Sequence, residues 1–389
     1  MTKLIKSLKA HSDKAWSVST HERLPLLATA SSDKTSKIYQ LSLEHNFPLV
    51  GVLEETHKRS VRSVAFKPEL KSSEHDFIDL PALASGSFDS TISIWGIDEP
   101  EDLLENEQSD DDEDGDEHKL KREIELLTSA KNEWNLMALI EGHENEIKAV
   151  AWNKSGRYLA SCSRDKTIWI WETDPETLEE FECVAVLSDH EHDIKHIVWH
   201  STYNILASSS YDDTVRLYQQ DADDEDWSCV AVLNGHQGTV WCSQFEKPAC
   251  DTAPKESIRL VSSSDDSTVR VWTCLKPEDS SSELSDMPSS IKHESAEMNW
   301  RLEQVLPEAH KYAVYSVSWS SKSGRIASAG ADGQIVVYKE NGPKWEIESI
   351  IKSAHGVYEI NCVSWCNLSN GNEVLVSAGD DGSINIWEA

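Results

Sequence analysis

Hydrophobic and polar positions along this chain alternate in short runs, a period of two that predicts β-strands rather than helices. ILASSSYDDTVRLY (Ile205–Tyr218) and RLVSSSDDSTVRVW (Arg259–Trp272) each give two β-rich stretches around an Asp turn. A run usually opened by an aromatic residue recurs ahead of a His, as in WNLMALIEGH from Trp134, FECVAVLSDH from Phe181 and WSCVAVLNGH from Trp227. A further strand follows the His, as in IKAVAW ending at Trp152 and VYSVSW ending at Trp319. Four such strands form one unit.

The unit occurs seven times. An Asp is followed six residues later by Trp or Tyr: Asp33 to Tyr39, Asp89 to Trp95, Asp165 to Trp171, Asp212 to Tyr218, Asp266 to Trp272, Asp332 to Tyr338 and Asp381 to Trp387. Four residues before each Asp stands a hydroxyl, at Thr29, Ser85, Ser161, Ser208, Ser262, Ser328 and Ser377. A His precedes each set, at His11, His57, His143, His190, His236, His310 and His355. The His-to-Asp spacing is 22 residues in four units and longer by 10, 8 and 4 in the others, differences that loops absorb at small entropic cost. Four strands repeated radially predict an all-β, seven-bladed β-propeller of the WD-repeat type over residues 1–389. The chain ends on INIW (Ile384–Trp387), the third strand of unit seven. KLIKSLKAH (Lys3–His11) is expected to supply the missing outer strand and close the ring, removing an exposed edge.

Two stretches interrupt the pattern. Thirteen of the twenty residues from Asp98 to Glu117 are acidic, too little apolar content to order itself. Residues 98–131 are therefore expected to be a mobile insertion between blades two and three, with a short helix possible at Lys119–Leu127. A Ser- and acid-rich mobile insertion is expected at 276–297, between blades five and six. Both read first as solvated loops.

Charge narrows the function classes. The formal net charge is -33, which disfavours direct nucleic-acid binding and approach to an anionic membrane. No run reaches the ~20 apolar residues that span a bilayer, and Met1–His11 has no apolar signal core. Eight Cys without a CxxC pair read as reduced thiols in an intracellular compartment.

Each blade carries His, hydroxyl and Asp, superficially a hydrolase triad. A catalytic set should occur once, in a cleft; seven copies at fixed offsets predict a buried hydrogen-bond scaffold, extended by the aromatic indole or hydroxyl. His143, Ser161, Asp165 and Trp171, then His190, Ser208 and Asp212, and His236, Ser262, Asp266 and Trp272 are its clearest members. Cys362 and Cys366 share one strand and one face, half a zinc site at most. Cys183 and Cys229 occupy equivalent outer-strand positions, which points to packing. Neither a metal nor a cofactor is expected, and no enzymatic activity.

The remaining candidates lie on the rim that the His loops and Asp turns share. Five residues after the His stand Trp16, Arg62, Lys148, Lys195, Trp241, Tyr315 and, in blade seven, Ile360 or Asn361. Immediately before the turn Asp stand Ser32, Phe88, Arg164, Tyr211, Asp265, Ala331 and Asp380. The cations Arg62, Lys148, Arg164 and Lys195 fall in blades two to four, flanked by Phe88, Tyr211, Trp241, Tyr315 and Trp16. That chemistry suits an acidic-plus-aromatic peptide, with Arg164 singled out as the only basic residue at its turn position.

HENEIKAVAW, SCSRDKTIWIWE, SSSYDDTVRLY with WSCVAVLNGHQGTVW, and HGVYEIN, in that order, resemble the WD-repeat subunit of the cytosolic iron–sulfur protein assembly (CIA) targeting complex. The resemblance runs through blades two to seven, more weakly through blade one; the acidic insertion after Trp95 is larger than the family pattern. It implies a non-catalytic adaptor, cytoplasmic and nuclear, that helps transfer [4Fe–4S] clusters to apoproteins. It also implies partners: a small adaptor subunit, a HEAT-repeat subunit, an iron-only-hydrogenase-like cluster protein and client apoproteins, some ending in an acidic-aromatic tail. Arg164, in SRDK, matches the family pattern. Two alternatives are a ubiquitin-ligase substrate receptor and a histone or chromatin binder. The first typically has Asp after the closing aromatic, whereas Gln40, Gly96, Glu172, Gln219, Thr273, Lys339 and Glu388 stand there. Basic clustering on the rim opposes the second.

Overall fold

The computed structural model describes residues 2–70, 79–100, 115–221, 226–247, 257–275 and 298–388. The insertion expected at 276–297 and most of the acidic run, 101–114, lie outside them.

The described strands form seven four-stranded antiparallel sheets, one per repeat. In blade four, Ile194–Trp199 lies innermost, followed outward by Ile205–Ser210, Val215–Gln220 and Trp227–Leu233. Burial follows radial position. The second strands Leu26–Ser31, Ala82–Ser87, Tyr158–Ser163 and Ile205–Ser210 are buried at every residue. Their Ala and Ser positions leave room for both faces to pack between neighbouring blades. In the outer strand Glu182–Leu187, only Leu187 is buried. The apolar clusters sit between blades: Val18 and Leu27 of blade one join Val374, Val376 and Ile384 of blade seven.

The ring closes with the N-terminal strand. Lys3–Leu8 pairs antiparallel with Ile384–Glu388, from Lys3 opposite Glu388 to Leu8 opposite Ile384. A polar stitch joins the first and last blades further in, where Asn361 Nδ2 donates to the Ala15 carbonyl at 3.0 Å.

The His–hydroxyl–Asp sets form in every blade. His Nδ1 meets the turn Asp at 2.7–3.3 Å throughout. His Nε2 meets Thr29, Ser161, Ser208, Ser262, Ser328 or Ser377 at 2.6–2.8 Å. Trp171, Trp272 and Trp387 donate their indole N–H to the same serines at 2.8–3.0 Å. Blade two departs from the expected pattern. There Ser93, one strand further out, meets both His57 and Trp95 at 2.8 Å, while Ser85 turns to Ser36 of blade one at 3.3 Å. The neighbouring hydroxyl on the next strand reaches the same ring nitrogen, so a fixed offset from Asp89 identifies the wrong serine.

The residue after each turn Asp has left-handed φ: Lys34, Ser90, Lys166, Asp213, Ser267, Gly333 and Gly382 lie at 63° to 72°. Such a conformation costs roughly 1–2 kcal/mol for a residue with Cβ. The Asp side chain offsets it by accepting from the backbone N–H two residues on, as Asp212 Oδ1 does from Thr214 at 3.1 Å. At Gly382 a Cβ would stand 2.6 Å from the His11 carbonyl oxygen, so that turn also needs glycine for space.

The C-terminal part of the insertion expected over 98–131 lies among the described residues. Gly115–Leu127 is a helix. Leu127 is buried, and Ile124 and Leu126 pack on the cluster between blades one and two. Arg23 of blade one donates to Glu123 at 2.8 Å, Gln40 to Thr128 at 2.8 Å, and Asn132 Nδ2 caps the Leu126 carbonyl at 2.9 Å. The apolar residues that the acidic run lacks stand here, and they anchor the segment.

Candidate partner-binding face

One backbone device builds the rim. Every inner strand carries a β-bulge at the same point, between Ala15 and Ser17, Val61 and Ser63, Ile147 and Ala149, Ile194 and His196, Val240 and Cys242, Val314 and Ser316, and Ile360 and Cys362. The extra residue leaves the ladder and its side chain is re-aimed. Those residues are Trp16, Arg62, Lys148, Lys195, Trp241, Tyr315 and Asn361, and all seven line the mouth of the central channel. The blade-seven alternative is thereby resolved: Asn361 takes the position, and Ile360 is fully buried.

Cations and rings alternate around this mouth. The Arg62 guanidinium lies 4.6 Å from the Trp16 ring centre, and Lys148 Nζ 4.2 Å from that of Phe88. Lys195 Nζ stands 5.3 Å from both Tyr211 and Trp241, and Trp241 meets Tyr315 edge-on at 5.1 Å. The recess enclosed holds about 270 Å³. A second recess, lined by Lys148, Arg164, Lys166, His192, Asp193, Lys195 and Tyr211, adjoins it. The nine rim residues picked from sequence thus come together in two connected recesses.

Their electrostatics are unequal. Arg164 is 59% exposed and 3.5 Å from Glu146, a carboxylate it shares with Arg59 at 3.2 Å. Lys195 pairs with Asp193 at 3.1 Å. Arg62 and Lys148 are half-buried, and no carboxylate among the described residues pairs with either. Burial lowers the Arg62 pKa. Burial, then the charges of Lys195 and Arg62, bring Lys148 down to about 8, against the pull of Glu146 and Asp193. Blade seven carries the opposite sign: Asp380 bridges to Lys14 and accepts from Asn361 at 2.8 Å. Arg62 and Lys148 thus differ from Arg164 in having no carboxylate partner among the described residues. Asp380 stands at the turn position already read from the sequence, whereas the spacing of Arg59 and Glu146 does not distinguish them from other loop charges.

A stability prediction follows from Lys148. Its pKa is lower in the folded chain than in the unfolded one, so between about 8 and the unfolded value near 10.4 the unfolded state holds more protons and stability rises with pH. Lys148→Met should therefore stabilise the chain at pH 7 and lose most of that advantage by pH 10. Urea unfolding of both chains at the two pH values tests this; an advantage independent of pH would refute it.

Among the described residues no group of three or more His, Cys, Asp or Glu side chains is arranged to hold a metal. Cys366 is buried in the core and Cys362 lines the channel, and burial pushes both thiols up. Cys183 and Cys229 do stand opposite the closing aromatics of blades three and four. Cys183, however, is exposed, so packing does not account for it.

Comparison with known proteins agrees with this architecture. The family model described as "WD domain, G-beta repeat" matches seven times, at residues 2–40, 48–96, 134–172, 181–219, 227–273, 300–339 and 348–388. Over the full length of both chains, the sequence is 65% identical to the "Probable cytosolic iron-sulfur protein assembly protein 1" of Debaryomyces hansenii. The proteins of that name from Scheffersomyces stipitis and Candida albicans are 63% and 62% identical, again over all of both chains. This chain belongs to that WD-repeat family. The family's seven repeats coincide with the seven blades, and the long acidic insertion falls between the second and third matches.

Proposed function

We propose that this chain serves cytosolic iron–sulfur protein assembly as a non-catalytic scaffold, holding partner proteins on the blade two-to-four side of its channel mouth. The assembly role follows from family membership. The scaffold role is supported by the fate of the polar residues: His, hydroxyl and Asp are spent seven times over in the blades themselves, where each imidazole bonds to an Asp and a hydroxyl of its own blade. A nucleophile needs an open approach, and these serines are fully buried.

The observation that carries the binding reading is the pair Arg62 and Lys148. Two half-buried cations without a carboxylate, each against an aromatic ring, are costly to keep on a folded chain and are relieved by an anionic ligand. On a chain of net charge -33 they select acidic segments locally while the rest of the surface repels them. An acidic-aromatic tail of a client apoprotein has the matching chemistry, and an iron-only-hydrogenase-like cluster protein is a further expected partner. A small adaptor, a HEAT-repeat subunit and work in the nucleus complete the proposal.

Affinity capture of the full chain should recover other iron–sulfur targeting subunits. Its depletion should lower cytosolic iron–sulfur enzyme activities while mitochondrial ones persist. Recovery of a cullin adaptor in their place would overturn the reading.

A further inference from the structure

The upper rim at blades six and seven differs in kind from the basic arc. Val357 is 95% exposed, the most exposed large apolar side chain among the described residues, with Tyr312 at 64% and Tyr358 at 50%. Between their loops lies the blade-six turn, which carries Ala331 where other blades present Phe88, Arg164 or Tyr211. Ala331 N donates to the Ala313 carbonyl at 2.9 Å, which sets the turn beside Tyr312. On its other side the turn meets blade seven, where Ala354 N donates to the Gly333 carbonyl at 3.0 Å. Gly333 has φ 65°, and a Cβ there would come within 3.0 Å of the Tyr358 carbonyl oxygen. Glycine at this position lets the two loops lie together, leaving a shallow saddle with a floor of small residues between tyrosine and valine walls.

Val357 is held outward by a built loop. Gly356 N donates to the Ser353 carbonyl at 2.9 Å and Tyr358 N to that of His355 at 3.2 Å. His355 is itself fixed to Asp381 and Ser377 at 2.9 and 2.8 Å. From His to bulge this loop is one residue longer than in the other blades, six to Asn361 instead of five. The added residue displaces Val357 from the blade. An apolar side chain held in water contributes nothing to folding, and rigid exposed aliphatic and Tyr side chains are characteristic of protein contacts.

The blade-seven flank of the saddle is acidic, while Lys311 adjoins Tyr312 on the blade-six side. Glu359 and Asp380 lie beside it on blade seven, with Asp13 beyond, and Lys14 is the cation they share. A second copy of this chain would bring another net charge of -33 against the same carboxylates, and an anionic membrane would be repelled likewise. We propose that this saddle docks a segment of a partner protein that presents an apolar side chain next to Lys or Arg. The saddle lies on the blade six-to-seven side, and its acidic flank, Glu359 and Asp380, borders the same channel mouth as Arg62 and Lys148; the opposite charges of the two sides call for different partner segments.

A photo-crosslinking amino acid placed at Val357 of the full chain, activated in cells and followed by mass spectrometry of the joined peptides, tests this. The expected product joins Val357 to one segment of another protein with an apolar residue within a few positions of Lys or Arg. Adding Tyr358→Asp should cut its yield by about tenfold, the loss of a contact residue, without a change in Tm. Arg164→Glu should leave the yield unchanged, which separates this site from the basic arc. No product, a product with lipid or a second copy, or a joined segment lacking basic residues would overturn the proposal.

Discussion

Asp212→Ala should destabilise the propeller by about 3–5 kcal/mol, the scale for removing one partner of a buried polar pair. Asp212 accepts from His190 at 2.7 Å, from Thr214 Oγ1 at 2.6 Å and from the backbone N–H groups of Thr214 and Glu191 at 3.1 and 3.2 Å. The His190 side chain is fully buried and that of Asp212 is 7% exposed. Without the carboxylate, His190 keeps only Ser208 at 2.6 Å, and the left-handed Asp213 loses the side chain that pins its turn. Burial alone would raise the Asp212 carboxyl, but hydrogen bonds from His190 and Thr214 outweigh it and hold the pKa well below the usual carboxylate range. This stabilisation is complete above the unfolded value near 4 and is lost as pH falls toward the folded one. The destabilisation by Asp212→Ala, read from urea unfolding, should therefore be full at pH 7 and shrink below pH 4. A change under about 1 kcal/mol at pH 7, within the range of ordinary surface substitutions, would show that the set is not a structural network.

Arg62→Glu combined with Lys148→Glu should weaken binding of a labelled acidic-aromatic peptide by about 100-fold or more. Each charge-assisted contact is worth about 1.5–3 kcal/mol, and each 1.4 kcal/mol is tenfold in affinity; reversal adds repulsion. The double variant should fold, because neither side chain belongs to a carboxylate pair and both sit on bulges outside the strand ladder. Arg164→Glu should cost less, about tenfold, since an exposed charge already near Glu146 is partly screened. Fluorescence polarisation gives all three affinities. Unchanged binding in the double variant would remove the channel mouth from the peptide site, and a larger loss from Arg164→Glu would return the weight to the outer recess.

Much of this protein is written in its spacing. A period of two gives strands, the sevenfold His, hydroxyl and Asp offsets give blades, and the incomplete last repeat requires the strand Lys3–Leu8. These features are legible because each is local or repeats, so one copy interprets another. The family resemblance rests on the same motifs. Even the position aimed at the channel was readable, five residues after each His, although blade seven left Ile360 and Asn361 both open.

Tertiary structure decided what offsets cannot carry. Whether Ser85 or Ser93 completes the blade-two network depends on which hydroxyl reaches His57 across the sheet, a matter of distance between strands. Whether the end of the acidic insertion packs depends on Leu127 finding the groove between blades one and two, far away along the chain. Arg62 and Lys148 differ from Arg164 because charge is felt through space: Glu146 lies against Arg164 and Arg59, while no carboxylate among the described residues pairs with Arg62 or Lys148. Composition told only that acid predominates; the bulges determine where the cations converge, because they turn one side chain per blade toward a common axis.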